Sequence, residues 1–550
     1  MKHIIYSLLI GAAGLTLSSC DLDMTPETTL SDANYWNTEG DLRGACNRFY
    51  QQLGGSLGGF NHDYRSDELR GNSANGTSDG SRTVPNTSGD WTDPYWRIFI
   101  SNNILEKGLK ANVSESVRDR YFAEARFFRA FHYFELVKKY GDVPLLLKAV
   151  SDTGDPVLKM GRTPREEVIQ QCIADLDFAA KNLPDIDHLD SWGHVSRSAA
   201  LAMLVRVGLY EGTHKKYHHT EGGDYKAHLK VAIDAAEQMI NVDKKHDLYP
   251  DFAKLFTFDG EGRQNKENVF VKIYGPNGAG TTTHNNSRTM ENTAHVTRQT
   301  IDKFLYVDGL PREKSPLKVS PETSYDDIFI NRDPRLEKTV WKLGEDAYKG
   351  EYKPFAFGEA YNLKKGFMMS EWETQQKETV DKMIIRYAEV LISYAEALYE
   401  YNGSITDDQL DKTVNAIRRR AGMPAMLTNA FANANGLDML EEIRRERAVE
   451  FVDECLRYDD IIRWKIAEKV LPTNILGLKF IAEETTRTRD EMVDRLTTGT
   501  DAVYNEPDVY ILEFAANRRF DPAKDYLYPI PLYEISHSDG NVVQNPGWRE

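Results

Sequence analysis

Cysteine is scarce: there are four in 550 residues, at positions 20, 46, 172 and 455, with no C-x-x-C spacing. That excludes a disulfide framework and a thiolate zinc site, and Cys46, Cys172 and Cys455 read as small buried hydrophobes. Basic charge is in deficit. The 68 Lys and Arg are outnumbered by 85 Asp and Glu, for a net charge of −17. This argues against binding a phosphate backbone and suits a solubilised surface. After the N-terminus no apolar run approaches the ~18 residues of a membrane-spanning helix. H-E-x-x-H is missing, and Asp259-Gly-Glu-Gly lacks the ligand spacing of a calcium loop. A phosphate loop is nearly present. GPNGAGTTT at 275–283 follows an alternating run at 268–274, but Thr281 stands where the loop needs lysine, and no helix pattern follows. The apolar run and Asp308 at 304–308 do not rescue a nucleotide site. The glycines read instead as a loop after a short strand.

What is present begins with an address. Lys2 and His3 precede a short apolar stretch at 4–17, the right length for a signal peptide and too short to span a bilayer. It ends in Leu17-Ser18-Ser19-Cys20, which resembles the lipobox of bacterial lipoproteins. That resemblance makes residues 1–19 a signal peptide, Cys20 the lipidated first mature residue and residues 20–34 a polar tether. Asp21 and Asp23 resemble the acidic export signal of surface lipoproteins in Bacteroidota.

Helical periodicity dominates the rest. Residues 117–140 carry two apolar stripes, Tyr121/Ala125/Phe128/Phe131/Phe134/Val137 and Phe122/Phe127/Ala130/Tyr133/Leu136/Tyr140. A helix apolar on two faces packs on both sides, as in stacked helical hairpins. Residues 197–241 and 381–422 each read as helix–loop–helix, similar to tetratricopeptide units of ~34 residues. In the second, Arg386, Glu389, Ser393, Glu396 and Glu400 form one polar stripe. Residues 442–465 read as one long helix. Two polar stretches, 54–94 and 275–294, break this rhythm, and long loops on a rigid frame are where binding chemistry concentrates. With 28 Tyr and 23 Phe, many rings must be packed or serve contacts.

Several stretches resemble, in order, the SusD/RagB family of surface glycan-binding lipoproteins. They are EARFFRAFHYFELVKKYGDVPL (124–145), NRDPRL (331–336), IRYAEVLISYAEAL (385–398) with VNAIRRRAGMP (414–424), IRRERAVEFVDECLRYDDIIRW (443–464), and YPIPLYEI (528–535) with QNPGW (544–548). The resemblance spans nearly all of the mature chain. It implies a mostly α fold with tetratricopeptide-like hairpins, long ligand-facing loops and a few short strands. The regions 35–250 and 251–550 would form one compact unit. It also implies a shallow glycan site, no catalysis and no cofactor, and a SusC-like TonB-dependent transporter over which the lipoprotein sits at the outer membrane.

A sugar offers apolar ring faces and a rim of hydroxyls, which proteins meet with flat aromatics and a few placed polar groups. In the first loop Trp91 is the expected stacking ring, with Asp67, Glu68, Arg70 and Asn72 facing hydroxyls. Trp96 is a further aromatic candidate, weighed against a core position at the start of the next helix. In the second loop the candidates are Tyr274, His284, Asn285, Asn286 and Arg288, and beyond it Trp341, with Trp341 and Trp372 divided between core and surface. Known members vary most at these positions, so no contact transfers residue by residue. Glu446, Glu450, Asp453 and Arg457 fall at i, i+4, i+7 and i+11. They read as a salt-bridged helix face in preference to the carboxylate pair of a glycoside hydrolase. His214, His218 and His219, with His228 nearby, read as a solvated loop in preference to a metal cluster. The alternatives to glycan capture are a glycoside hydrolase and a peptide- or glycopeptide-binding lid of the transporter.

Overall fold

Helices form where the apolar stripes lie, and caps set their ends. The computed structural model describes residues 35–51, 53, 62–220, 222–277, 280–348, 350–356, 358–500 and 504–549. The expected signal peptide, Cys20 and the expected tether lie outside the described residues. The N-terminal half is built on α1 (Glu39–Gln51), α2 (Gly89–Lys107), α3 (Glu115–Tyr140), α4 (Arg165–Asn182), α5 (Arg197–His218) and α6 (Tyr225–Glu237). Ser114 caps α3 by accepting the Val117 N–H, and Gly141 ends it at φ +73. Both stripes of α3 are buried, one helix face against α2 and another against α4. The α5–α6 hairpin depends on two glycines. A Cβ at Gly208 would lie 2.7 Å from Ala232 N and His228 O, and one at Gly212 would lie 2.7 Å from Leu229 Cγ. Any larger residue would force the helices apart.

The helix Tyr387–Asn402 joins this core. Its polar stripe is not a solvated face. Glu389 accepts from Arg206 at 2.7 Å, Glu396 from Arg463 at 2.6 Å and Glu400 from Lys216 at 2.6 Å, all with carboxylates buried. Arg386, at the end of strand Lys382–Arg386, donates to Glu267 and Glu450, each at 2.7 Å. The motif arginines and carboxylates are thus an interior lattice in which each charge has partners, the condition on which charges can be buried.

The long helix read at 442–465 is two. Met439–Glu450 and Arg457–Arg463 are separated by a turn in which Asp453 (φ +62) and Cys455 (φ +59) are left-handed. Asp453 and Arg457 therefore do not share a face with Glu446 and Glu450. A second, smaller apolar cluster, with Met290, Val296, Tyr348 and Tyr361, lies beneath the loops. Strands are few and short among the described residues. Asn268–Lys272 pairs antiparallel with Lys382–Arg386, and His295–Val296 lies between Leu69–Arg70 and Tyr361–Asn362 in a three-stranded sheet.

Candidate functional site

The two polar loops meet. Leu69 pairs with Val296 and Arg70 with His295, so the first loop is sewn to the chain just after the second. The helix between them, α7 (Asn286–Thr293), presents Thr289 and Thr293 one turn apart. His62 Nε2 lies 2.9 Å from Thr289 Oγ1, and Nδ1 lies 2.8 Å from Asp453 Oδ1. The Tyr64 hydroxyl donates to Thr293 Oγ1 at 3.3 Å.

A strap covers the other side of α7. Glu378 accepts the N–H groups of Ser287 (2.7 Å) and Arg288 (3.0 Å), capping the orphan donors of the first turn. Met368 N–H donates to Ser287 Oγ at 3.3 Å. The short helix Met369–Glu373 carries Trp372, whose indole N–H donates to Glu291 Oε2 at 3.0 Å. The Arg288 guanidinium lies over the Trp372 ring, 4.4 Å from its centroid. The strap tip, residues 373–377, is exposed.

Before α7, the GPNGAGTTT run is an antiparallel hairpin and not a phosphate loop. Gly275 pairs with Thr282, Pro276 with Thr281 and Asn277 with Gly280. Gly275 turns the chain at φ +87, a conformation that favours glycine. Tyr274 packs edge-on against His284 at 4.6 Å, and its N–H donates to Asp381. His284 is held at both nitrogens: Asn286 N–H donates to Nδ1 at 3.2 Å, and Nε2 donates to Val380 O at 2.9 Å. Burial, aided by the Lys382 charge, pushes its pKa down to about 4, so the ring is neutral and fixed in place. Asn286 Oδ1 accepts from Lys382 at 2.8 Å, while Asn285 and Asn72 are exposed.

Other expected contacts point elsewhere. Asp67 is buried and accepts from Arg457 (2.8 Å) and Lys303 (2.7 Å). Burial raises its pKa, but these two cations outweigh that and hold the carboxyl well below its usual range. Glu68 is also buried, accepts the Asp453 N–H, and is pushed up to about 8 by burial. Arg70 donates to Glu513 at 3.1 Å. These three tie the loop down. Trp91 is 4% exposed, because Ser88 caps α2 and the helix starts before it; the ring packs edge-on against Tyr140. Trp341, also 4% exposed, donates to Tyr348 Oη and Leu363 O in the second core. Neither ring is available for stacking. Trp96 is 53% exposed, lying on the outer side of α2 against Phe99.

His214 and His218 are not in a loop. α5 runs through both, their rings stack at 4.0 Å, and burial pushes both pKa values down. Among the described residues no three His, Cys, Asp or Glu side chains are placed to hold a metal. Glu446 and Glu450 are buried with arginines. Glu446 lies 2.6 Å from Arg335 and 2.8 Å from Arg418, and Glu450 lies 2.8 Å from Arg335. Burial works against the charge on Glu450, but Arg420, Arg386 and Arg335 outweigh it and hold the carboxyl ionised. Such a group neither reaches a substrate nor gives up a proton as a general acid.

Of the residues around this junction, Asn72, Asn285 and the strap tip at 373–377 are exposed, and Tyr64, Arg288 and Trp372 are half-buried. His62, Tyr64, Glu378 and Lys382 were not visible as site residues in the sequence, since each acts through a partner distant along the chain.

Residues 256–548 match the sequence model of the SusD family. The chain belongs to that family. Residues 58–209 also match a SusD-like model described as starch-binding, associating with the outer membrane. A SusD-like protein P2 of Formosa agariphila is 27% identical over 564 residues, covering 97% of this chain and 98% of the relative. A SusD-like carbohydrate-binding protein of Bacteroides fragilis superposes with a TM-score of 0.71 at 23% identity, covering 92% of this chain and 99% of that one. A laminarin-binding SusD-like protein superposes with a TM-score of 0.61 at 20% identity, covering 93% of this chain and all of the other, 100%. The mostly helical architecture with a few short strands is the fold of these SusD-like proteins. No helix among the described residues is long and apolar enough to cross a membrane.

Proposed function

We propose that this SusD-family protein captures an oligosaccharide at the cell surface and hands it to a SusC-like TonB-dependent transporter, without altering it. The observation that carries this reading is the junction itself. Two polar loops distant along the chain are joined at α7, where the half-buried Arg288 and Trp372 lie one over the other. An aromatic ring with a guanidinium beside it suits ring-face contacts and a hydroxyl rim. Cys20 would carry the lipid, with residues 21–34 as the tether to the outer membrane. Asn72, Asn285 and Trp96 remain proposed ligand contacts, joined by Tyr64 and Trp372.

The test is a panel of oligosaccharides and peptides titrated calorimetrically into the purified protein, with product analysis of each mixture. Saturable glycan binding with the glycan recovered intact supports the proposal. Hydrolysis, or binding of peptides only, overturns it. Co-purification of a TonB-dependent barrel with the tagged, membrane-attached protein tests the delivery half.

A further inference from the structure

Four arginines around the two loops are neutralised by carboxylates, while Arg82, in the first loop, lies over the Tyr528 ring at 3.9 Å and donates to the Asp525 carbonyl at 3.3 Å. Arg65 donates to Asp63 and Tyr528, Arg70 to Glu513, Arg298 to Glu322 and Arg457 to Asp67. Each of these guanidinium groups is spent on the fold. Arg288 differs. Its guanidinium makes no hydrogen bond to any described residue, and its only carboxylate neighbour within 4 Å among them, Glu291, stands 3.9 Å away. That carboxylate is itself engaged by the Trp372 indole at 3.0 Å. The Arg288 side chain is 32% exposed, and its head is held over the Trp372 ring at 4.4 Å. The backbone beneath it is pinned because Glu378 accepts the Arg288 N–H.

This is the geometry of a prepared donor. Contact with an indole holds a guanidinium in place through its charge and its face, and uses none of its N–H groups. Those groups lie in the guanidinium plane as a fork that matches two oxygens of one oxyanion. The side chain is already ordered, so little rotamer entropy is lost when such a group docks. A neutral hydroxyl would use only one N–H of that fork.

Resting on the glycan-capture reading, we infer that the ligand is an acidic glycan and that Arg288 receives its oxyanion substituent, a uronate carboxylate or a sulfate ester. Arg288 is thereby a specificity-determining residue, Trp372 its platform, and Glu378 the group that positions its helix turn.

The experiment compares three sets of oligosaccharides on the purified protein by calorimetry: uronate-bearing, sulfated, and their carboxyl-reduced or desulfated counterparts. Wild type is expected to bind one acidic set about tenfold or more tighter than its neutral counterpart, the scale of one charge-assisted hydrogen-bond pair. Arg288→Met keeps the stem and the packing on Trp372. It is expected to bring the acidic and neutral sets to equal affinity in protein whose melting temperature is unchanged. Arg288→Lys, a point charge without the fork, should recover part of the preference. Which acidic set shows the effect tells carboxylate from sulfate. Equal binding of acidic and neutral sets by wild type, or an undiminished preference in Arg288→Met, overturns the inference and leaves glycan capture standing. No binding of any set overturns both.

Discussion

His62 Nε2 lies 2.9 Å from the hydroxyl of Thr289, 227 residues further along the chain, while the other ring nitrogen faces Asp453. One imidazole thus joins the first loop, α7 and the left-handed turn after Met439–Glu450. His62→Ala removes both contacts from a side chain only 5% exposed. We expect a loss of about 1–3 kcal/mol, the cost of leaving buried polar partners unsatisfied, read from urea denaturation. Ligand affinity should fall as well. A variant with unaltered denaturation and binding would show that the loops are held together by other contacts.

Trp91→Ala should behave as a core mutation and not as a site mutation. The ring is buried against Tyr140 and Tyr95, so its removal leaves a cavity that costs about 3–5 kcal/mol. The folded fraction should bind glycan with wild-type affinity. Affinity lost in protein of unchanged melting temperature would return Trp91 to the site.

Glu450→Gln probes the interior lattice. Arg335, Arg386 and Arg420 converge on this carboxylate. Neutralising it costs about 1–3 kcal/mol, since these buried guanidinium groups are left one carboxylate fewer, while Arg335 keeps Asp333 and Glu446, and Arg386 and Arg420 keep Glu267. The expected outcome is a drop in denaturant midpoint at an unchanged slope. A variant as stable as wild type would mean that water relieves those arginines.

Acid should weaken the protein through His284. In the folded state burial holds this ring at a pKa of about 4, against an ordinary value of 6.5. Between these values the unfolded chain binds a proton that the folded chain refuses. Stability is therefore full above pH 6.5 and declines as pH falls toward 4, by at most about 3 kcal/mol for this group. His194, His218 and His246 are likewise pushed down to about 4, burial being the main cause in each, and add to the slope. Glu68, pushed up to about 8, works in the opposite direction, so the readout is the difference between wild type and His284→Asn in melting temperature at pH 7.5, 6 and 5. His284→Asn should show a shallower decline, and an identical decline would remove His284 from the account.

Much of the fold was legible because it is written in local terms. The two stripes of residues 117–140 require burial on two sides whatever the neighbours are, and α3 is buried on both. The break between Glu450 and Arg457 was not legible. The stretch 451–456 keeps helical spacing and contains no Gly or Pro, and the turn follows from the left-handed Asp453, whose side chain faces His62 and whose N–H is taken by Glu68.

In the two polar loops, the structure turns several of the expected side chains inward. Loop composition is a local property, so stretches rich in Gly, Asn, Ser and Thr stand out. Which way a side chain faces is not local. Asp67 turns inward because Arg457 and Lys303 await it, and Trp91 does so because Ser88 starts a helix three residues earlier.

By itself, then, the amino-acid order determined a helical scaffold, two polar loops and the family, since periodicity and ordered motifs survive without coordinates. Only the tertiary structure decided which charges were already spent. Arg65, Arg70 and Arg288 look alike along the chain. Distant carboxylate partners such as Glu513, and the indole of Trp372, set them apart, because the reach of a charge is measured in ångströms and not in residues.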